Sequence, residues 1–233
     1  MARPLALVTG ASRGIGRSIA VRLAPHYEIA AIARSEAALH ELALEIESVG
    51  GKCRPIVLDI TDAAAVSSKL RDLEPAVLVN NAGVGVIKPL LELTLEEWHR
   101  MVATNFNALF YVTRAVLPGM IRAGGGDVVT IGSLAGRNSF AGGTCYAGTK
   151  HAVIAFTESL MAEVRQQKVR VSVVMPGSVS TTMRANMTFK EGSETSWMLT
   201  AEDVAAAVEY LVRQPANAHV SRIEMRPSRP GSG

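Results

Sequence analysis

Leu5-Ala6-Leu7-Val8-Thr9 runs without a break into Gly10-Ala11-Ser12-Arg13-Gly14-Ile15-Gly16. An apolar strand is thus followed by spaced glycines and then by the start of a helical pattern. That order is the context a dinucleotide-binding loop needs. Without side chains at Gly10, Gly14 and Gly16 the backbone can turn tightly and approach a pyrophosphate, and the helix start offers free N–H groups and a positive dipole end. An ordinary glycine-rich turn would not require both flanking elements.

Downstream, apolar strands alternate with amphipathic helices. The pattern predicts strands near residues 5–9, 28–33, 53–58, 76–80, 127–132, 170–175 and 221–225. Helices are expected near 14–24, 35–49, 62–72, 96–123, 144–166 and 201–213. Alternation of this kind argues a parallel sheet covered on both faces, here a three-layer doubly wound α/β fold with a seven-stranded parallel sheet. With 233 residues, 48% of them apolar and 19% charged, the chain suits one domain over residues 1–226. Residues 227–233, rich in Pro, Gly, Ser and Arg, are expected to form a short flexible tail.

The net charge of +3 rests on 24 basic residues scattered among 21 acidic ones, and no basic run exceeds two residues. A nucleic-acid surface would need a basic stripe with interleaved aromatics; the scatter reads instead as a generic soluble surface, with a phosphate-bearing cofactor accounting for part of the excess. Met1 to Pro4 leads straight into the first strand with no signal-peptide pattern, and no apolar run approaches the roughly 20 residues that span a bilayer. The expectation is a cytoplasmic protein with neither a membrane nor a nucleic-acid partner. Cys53 and Cys145 give no disulfide framework and no metal spacing, and both are expected to be small buried side chains.

Two further features bear on chemistry. Tyr146 and Lys150 stand four residues apart, thirteen residues after Ser133, and positions i and i+4 of a helix share a face. A cation about 4 Å from a phenol, at an effective dielectric of roughly 20, attracts the phenolate by about 4 kcal/mol. That is enough to bring a tyrosine whose free pKa is about 10 close to neutrality, as an acid/base catalyst requires. The second feature is the end of the second strand, where an NAD enzyme places a carboxylate for the ribose hydroxyls. This chain has Ala33 followed by Arg34. Arg34 and Arg13 would flank a 2′-phosphate with bidentate hydrogen bonds, and Ser35 could add a hydroxyl. NADP(H) is the cofactor this predicts. A solvated Arg34 at the start of a helix, with Glu36 nearby, is the alternative.

The glycine pattern, Asn80-Asn81-Ala82-Gly83, Asn105, Ser133, Tyr146-x-x-x-Lys150 and Pro176-Gly177 together resemble the short-chain dehydrogenase/reductase family in its compact form. They stand in family order from residue 9 to residue 177. The resemblance implies hydride transfer between nicotinamide and a carbonyl or secondary alcohol. Tyr146 would be the proton donor, Ser133 a hydrogen-bond donor to the carbonyl, and Lys150 both a tuner of Tyr146 and a ligand of the nicotinamide ribose. Asn105 matches the family asparagine that links a water chain to the lysine. The resemblance also places Ser12 and Ile15 in the cofactor loop, Asp59 and Ile60 at the adenine, and Asn81, Ala82 and Gly83 along the nucleotide cleft. Pro176 and Gly177 would pass beside the nicotinamide, with Val179 and Thr181 near its carboxamide. Asp59 could instead cap the next helix, a role for which Thr61 and Asp62 compete.

Substrate walls are expected at Val84 to Leu93, Leu134 to Gly143 and Ser178 to Leu199, the last containing Met183, Met187, Phe189, Trp197 and Met198. Such a lid suits an uncharged or hydrophobic carbonyl compound, while Arg137, Arg184 and Lys190 leave room for an acidic group. The ending Ile223-Glu224-Met225-Arg226-Pro227 stands where fatty-acid-type 3-oxoacyl reductases carry an acidic residue and paired glycines. Members of the resembled family with an Arg-Pro ending include enzymes of small hydroxy acids. A 3-oxoacyl-thioester reductase and a non-catalytic NADP(H)-binding regulatory protein are the competing readings. The helices at 96–123 and 144–166 are apolar over much of their circumference, which predicts burial on several sides; with the family resemblance it implies a homodimer or homotetramer.

Overall fold

A computed structural model describes residues 3–181 and 195–229. Seven strands among them form one sheet: β1 (Leu5–Thr9), β2 (Glu28–Ala33), β3 (Lys52–Val57), β4 (Val77–Asn80), β5 (Gly126–Ile131), β6 (Val169–Pro176) and β7 (Arg222–Met225). Their spatial order is β3-β2-β1-β4-β5-β6-β7, and every neighbouring pair is parallel. The order reverses between β1 and β4, which opens a crevice at the carboxyl ends of those strands.

Alternate side chains of each strand face opposite layers. Ala6 and Val8 pack with Ile19 and Leu23 of α1 (Gly14–Leu23), Leu39, Leu42 and Ile46 of α2 (Glu36–Ser48), and Val204 and Val208 of α7 (Ala201–Val212). Leu7 points the other way, into a core built with Val66 and Leu70 of α3 (Ala63–Leu70), Val112 and Val116 of α5 (Ala108–Arg122), and Leu160 and Val164 of α6 (Thr144–Val164). The expected three-layer doubly wound arrangement is therefore present.

Local chemistry explains the helix starts. Ser35 accepts from the Ala38 N–H to cap α2, and Asp62 accepts from the N–H groups of Ala64 and Ala65 to cap α3. The competition between Asp59, Thr61 and Asp62 is thus settled for Asp62. Thr94 and Glu97 form a reciprocal capping box at the head of α4 (Leu95–Val102).

The expected helix over 96–123 runs without a break but changes its winding midway. Between α4 and α5 the residues Ala103–Asn107 form a π turn with Asn105 inside it. One Asn105 side chain bonds both backbone groups of Val84, accepting from its N–H at 2.8 Å and donating to its carbonyl at 2.9 Å. A widened turn is the usual way a helix accommodates such an inserted contact. At the opposite end of the sheet, Arg170 grips Asp127 with two bonds of 2.7 and 2.9 Å and donates to the carbonyls of Gln214, Pro215 and Ala218. That clamp fixes the connection from α7 to β7 and so sets where the chain emerges at the crevice.

Candidate active site

The turn from β1 to α1 uses its glycines for space and for conformation. Gly10 and Gly14 have φ of 66° and 53°, in the left-handed region that favours glycine. A Cβ on Gly16 would stand 2.3 Å from the Gly10 carbonyl oxygen and 2.4 Å from Asn81 Nδ2. Asn81 fastens this turn to the end of β4, because its Nδ2 donates to the carbonyls of Thr9 and Gly10 at 2.9 and 3.3 Å. Thr9 Oγ1 returns the contact by accepting from the N–H groups of Asn81 and Ala82. Thr181 packs its methyl 3.5 Å from the position of a Cβ on Gly14. No acidic residue lies in the first turn of α1, so its positive end is left open to an anion.

These elements border one cleft of about 930 Å³, within the usual size of a small-molecule site. Ser12, Arg13 and Ile15 line it beside the glycine turn, and Ala33, Arg34, Asp59 and Ile60 line it beyond the ends of β2 and β3. Asp59 accepts from the hydroxyl and N–H of Thr61 at 2.7 and 2.9 Å. These bonds hold its carboxyl below the usual range, with burial opposing and Arg34 assisting. Asn81, Ala82 and Gly83 lie mid-cleft, and Pro176, Gly177, Val179 and Thr181 border its far side. Gly16, Ser35 and Asn105 are not in the lining: Gly16 packs behind the turn, Ser35 caps α2, and Asn105 sits behind Gly83, 3.3 Å from where its Cβ would be.

Ser133, Tyr146 and Lys150 also line the cleft and are 9%, 9% and 7% exposed. Ser133 follows β5, where its Oγ accepts from the Ala135 N–H at 3.1 Å. Tyr146 and Lys150 occupy the first two turns of α6, as their spacing requires. The electrostatics differ from the expectation. Lys150 Nζ donates to the Ile131 carbonyl at 3.1 Å and lies 6.0 Å from the Tyr146 ring centroid. Burial pushes the Tyr146 phenol above its ordinary pKa, opposed by a hydrogen bond with Ser133, and lowers Lys150 to about 8. Desolvation therefore overrides the expected pull toward a phenolate, and Tyr146 keeps its proton at neutral pH. Thr149 links this helix to the π turn, its Oγ1 accepting from Asn105 Nδ2 at 3.1 Å.

The expected substrate walls meet the cleft only in part. Val84, Ile87, Leu134, Phe140, Trp197 and Met198 line it, while Met183, Arg184, Met187, Phe189 and Lys190 lie outside the described residues. Arg137 is engaged elsewhere, donating to Glu224 at 2.8 Å. Arg100, Ala103 and Thr104 line the cleft without having been expected there, as do Arg226, Pro227 and Arg229. The supposed tail thus begins as cleft wall, and its remainder, Pro230 to Gly233, lies outside the described residues. Position was the missed signal, because whatever follows β7 emerges at the carboxyl ends of the strands, where such sheets bind ligands. Cys145 is buried and Cys53 only half-buried, a departure from expectation; burial pushes Cys53 up to about 11 and Cys145 upward as well, so both stay thiols at neutral pH.

Comparison with known proteins agrees with this geometry. The family model described as short chain dehydrogenase matches residues 4–192. Among characterised relatives, the NADP-dependent 3-hydroxy acid dehydrogenase YdfG of Escherichia coli strain K12 is 35% identical over 96% of this chain and 94% of its own. Sulfoacetaldehyde reductase 2 of Chromohalobacter salexigens is 35% identical over 97% and 94%. Among solved structures, the closed form of serine dehydrogenase complexed with NADP+ superposes with a TM-score of 0.86 at 31% identity, covering 98% of this chain and 97% of that one. A match across most of the chain, in a fold whose crevice carries the family's motifs at its rim, places this protein in the short-chain dehydrogenase family.

Proposed function

We propose that this chain is an NADPH-dependent reductase of small carbonyl compounds, equivalently a secondary-alcohol dehydrogenase in reverse, with Tyr146 as general acid/base. The observation that carries the proposal is the convergence of Ser133, Tyr146 and Lys150 at one end of a cleft whose other end holds Arg13 and Arg34.

The cleft suits NADP(H) on its own terms. Gly16 lets the turn close tightly against Gly10 and Asn81 behind the cleft, the start of α1 has no side-chain cap, and Arg13 and Arg34 supply guanidinium groups for a 2′-phosphate with no carboxylate at position 33. When bound, the cofactor supplies the hydride. The chain's own residues do the rest. Ser133 donates to the substrate carbonyl oxygen and so stabilises the charge that develops there. Tyr146, held as the neutral phenol by burial, delivers its proton to that oxygen. Lys150, below its pKa of about 8, stabilises the tyrosinate left behind and would hold the cofactor ribose. Asn105 acts through position, fixing Val84 on the cleft wall and Thr149 on α6.

The relatives' names, 3-hydroxy acid dehydrogenase, sulfoacetaldehyde reductase and serine dehydrogenase, favour a small polar carbonyl compound over a long acyl thioester. A purely regulatory protein would have no need of the buried Ser133, Tyr146 and Lys150 set. We further read the exposed apolar side chains of α4, α5 and the turn before them as a subunit interface: Leu91 and Leu95 are 99% and 77% exposed, and Trp98 and Phe110 are also exposed. NADPH oxidation against a panel of ketones, aldehydes, 3-oxoacyl thioesters and quinones tests the activity. Turnover of ketones or aldehydes supports it, and NADPH binding without turnover of any member refutes it.

A further inference from the structure

The described residues lining the cleft include six cations, Arg13, Arg34, Arg100, Lys150, Arg226 and Arg229, against one acid, Asp59. A chain of net charge +3 thus gathers a much stronger positive field inside its crevice than its surface average implies. Several arginines elsewhere are paired: Arg17 with Glu45, Arg22 with Glu209, Arg137 with Glu224, Arg170 with Asp127 and Arg222 with Glu158. In the cleft, the guanidinium groups of Arg13, Arg34, Arg100 and Arg229 make no hydrogen bond or ion pair among the described residues.

Arg13 and Arg34 answer to the cofactor phosphate, but Arg229 cannot share that task. Arg34 follows β2 and Arg229 follows β7, five strands apart in the sheet order, or roughly 24 Å at about 4.8 Å per strand. Arg229 belongs to the catalytic end. The chain leaving β7 is pinned there, since the Gly177 N–H donates to the Met225 carbonyl at 2.8 Å. Pro227 Cδ and Leu134 Cδ1 lie 3.3 and 3.2 Å from where a Cβ on Gly177 would stand. Leu134 directly follows Ser133. The nearby acid, Glu224, is already matched by Arg137 at 2.8 Å and Arg226 at 3.3 Å, so it leaves the Arg229 guanidinium for a ligand.

We propose that Arg229 is a specificity-determining residue that binds an acid group on the substrate, making a small oxo acid, with a carboxylate or sulfonate a few atoms from the carbonyl, the preferred substrate class. This rests on the reductase reading and extends it. A guanidinium matches such a group with paired charge-assisted hydrogen bonds, and a neutral ester of the same carbonyl compound forfeits them.

The test compares 3-oxobutanoate with its methyl ester in wild type, R229A, R229K and R229E, with NADPH saturating. R229A is expected to lower kcat/KM for the acid by about ten- to a hundredfold, mainly through KM, while the ester stays within about twofold. R229K should recover part of the loss, and R229E should be worst on the acid and neutral or better on the ester. Equal losses on acid and ester, or no loss on either, would overturn the proposal, as would a raised KM for NADPH with an unchanged acid-to-ester ratio. Calorimetry of 3-hydroxybutanoate binding to the NADPH-loaded protein, a pairing with no hydride acceptor, separates the two levels. Binding that weakens in R229A supports the Arg229 assignment even where turnover is absent and the reductase reading fails. Binding that is unchanged in R229A, or absent from the wild type, overturns it.

Discussion

Lys150 Nζ lies 6.0 Å from the centroid of the Tyr146 ring and donates to the Ile131 carbonyl. The two groups are therefore neighbours without being paired, and each responds mainly to burial: the phenol upward, the amine down to about 8. Reduction needs the protonated phenol together with a cation to stabilise the tyrosinate it becomes. The phenol stays protonated through neutral and mildly alkaline pH, but the amine loses its proton as pH rises through about 8. The reduction rate should therefore be high below that pH and fall above it. Lys150→Arg, whose cation does not titrate in this range, should flatten the alkaline limb in whatever activity it retains. A pH profile of kcat at saturating NADPH for both proteins checks this, and an identical alkaline limb in the two would assign it to another group.

Gly16→Ala should damage cofactor binding and stability together. The new methyl carbon would fall 2.3 Å from the Gly10 carbonyl oxygen, and forcing a group into packed surroundings costs about 1–3 kcal/mol. Where that falls on the bound state it amounts to roughly ten- to a hundredfold in affinity. Fluorescence titration with NADPH and a thermal melt read the two effects.

Cofactor preference follows from Arg13 and Arg34 on the cleft wall. A charge-assisted hydrogen bond contributes about 1.5–3 kcal/mol, or about ten- to a hundredfold, so NADPH should exceed NADH by at least that range in kcat/KM. Ala33→Asp with Arg34→Ala should reverse the order, because the carboxylate accepts from ribose hydroxyls and repels a phosphate. Equal use of both cofactors by the wild type would contradict the assignment.

Assembly is a separate expectation. Light scattering at micromolar concentration should give a dimer or tetramer of the 24.7 kDa chain. Leu91→Glu with Leu95→Glu should shift it toward monomer, since both side chains are largely exposed on the isolated protein.

The sheet, its two covering layers and the glycine turn at the crevice were legible because local pattern carries them. Apolar runs alternate with amphipathic helices, and the glycines stand between a strand and a helix. What escaped the sequence depends on contacts between distant positions. Asn105 bonds Val84 and Thr149, 21 and 44 residues away, and the π turn that admits it leaves the apolar periodicity intact. Arg137 meets Glu224 across 87 residues, so its loss to the substrate pocket is invisible in a linear reading. Arg226 to Arg229 read as a tail by composition, yet β7 beside β6 delivers them to the crevice. The Tyr146 environment was misjudged because spacing gives proximity and says nothing of burial, which here decides both protonation states.

The most direct test is Tyr146→Phe, read by NADPH oxidation and by NADPH affinity on the same preparation. The substitution removes the hydroxyl that would protonate the carbonyl oxygen and leaves Arg13, Arg34 and the glycine turn untouched. The account predicts turnover lost to background with NADPH affinity within a few-fold of wild type. Retained turnover would contradict it.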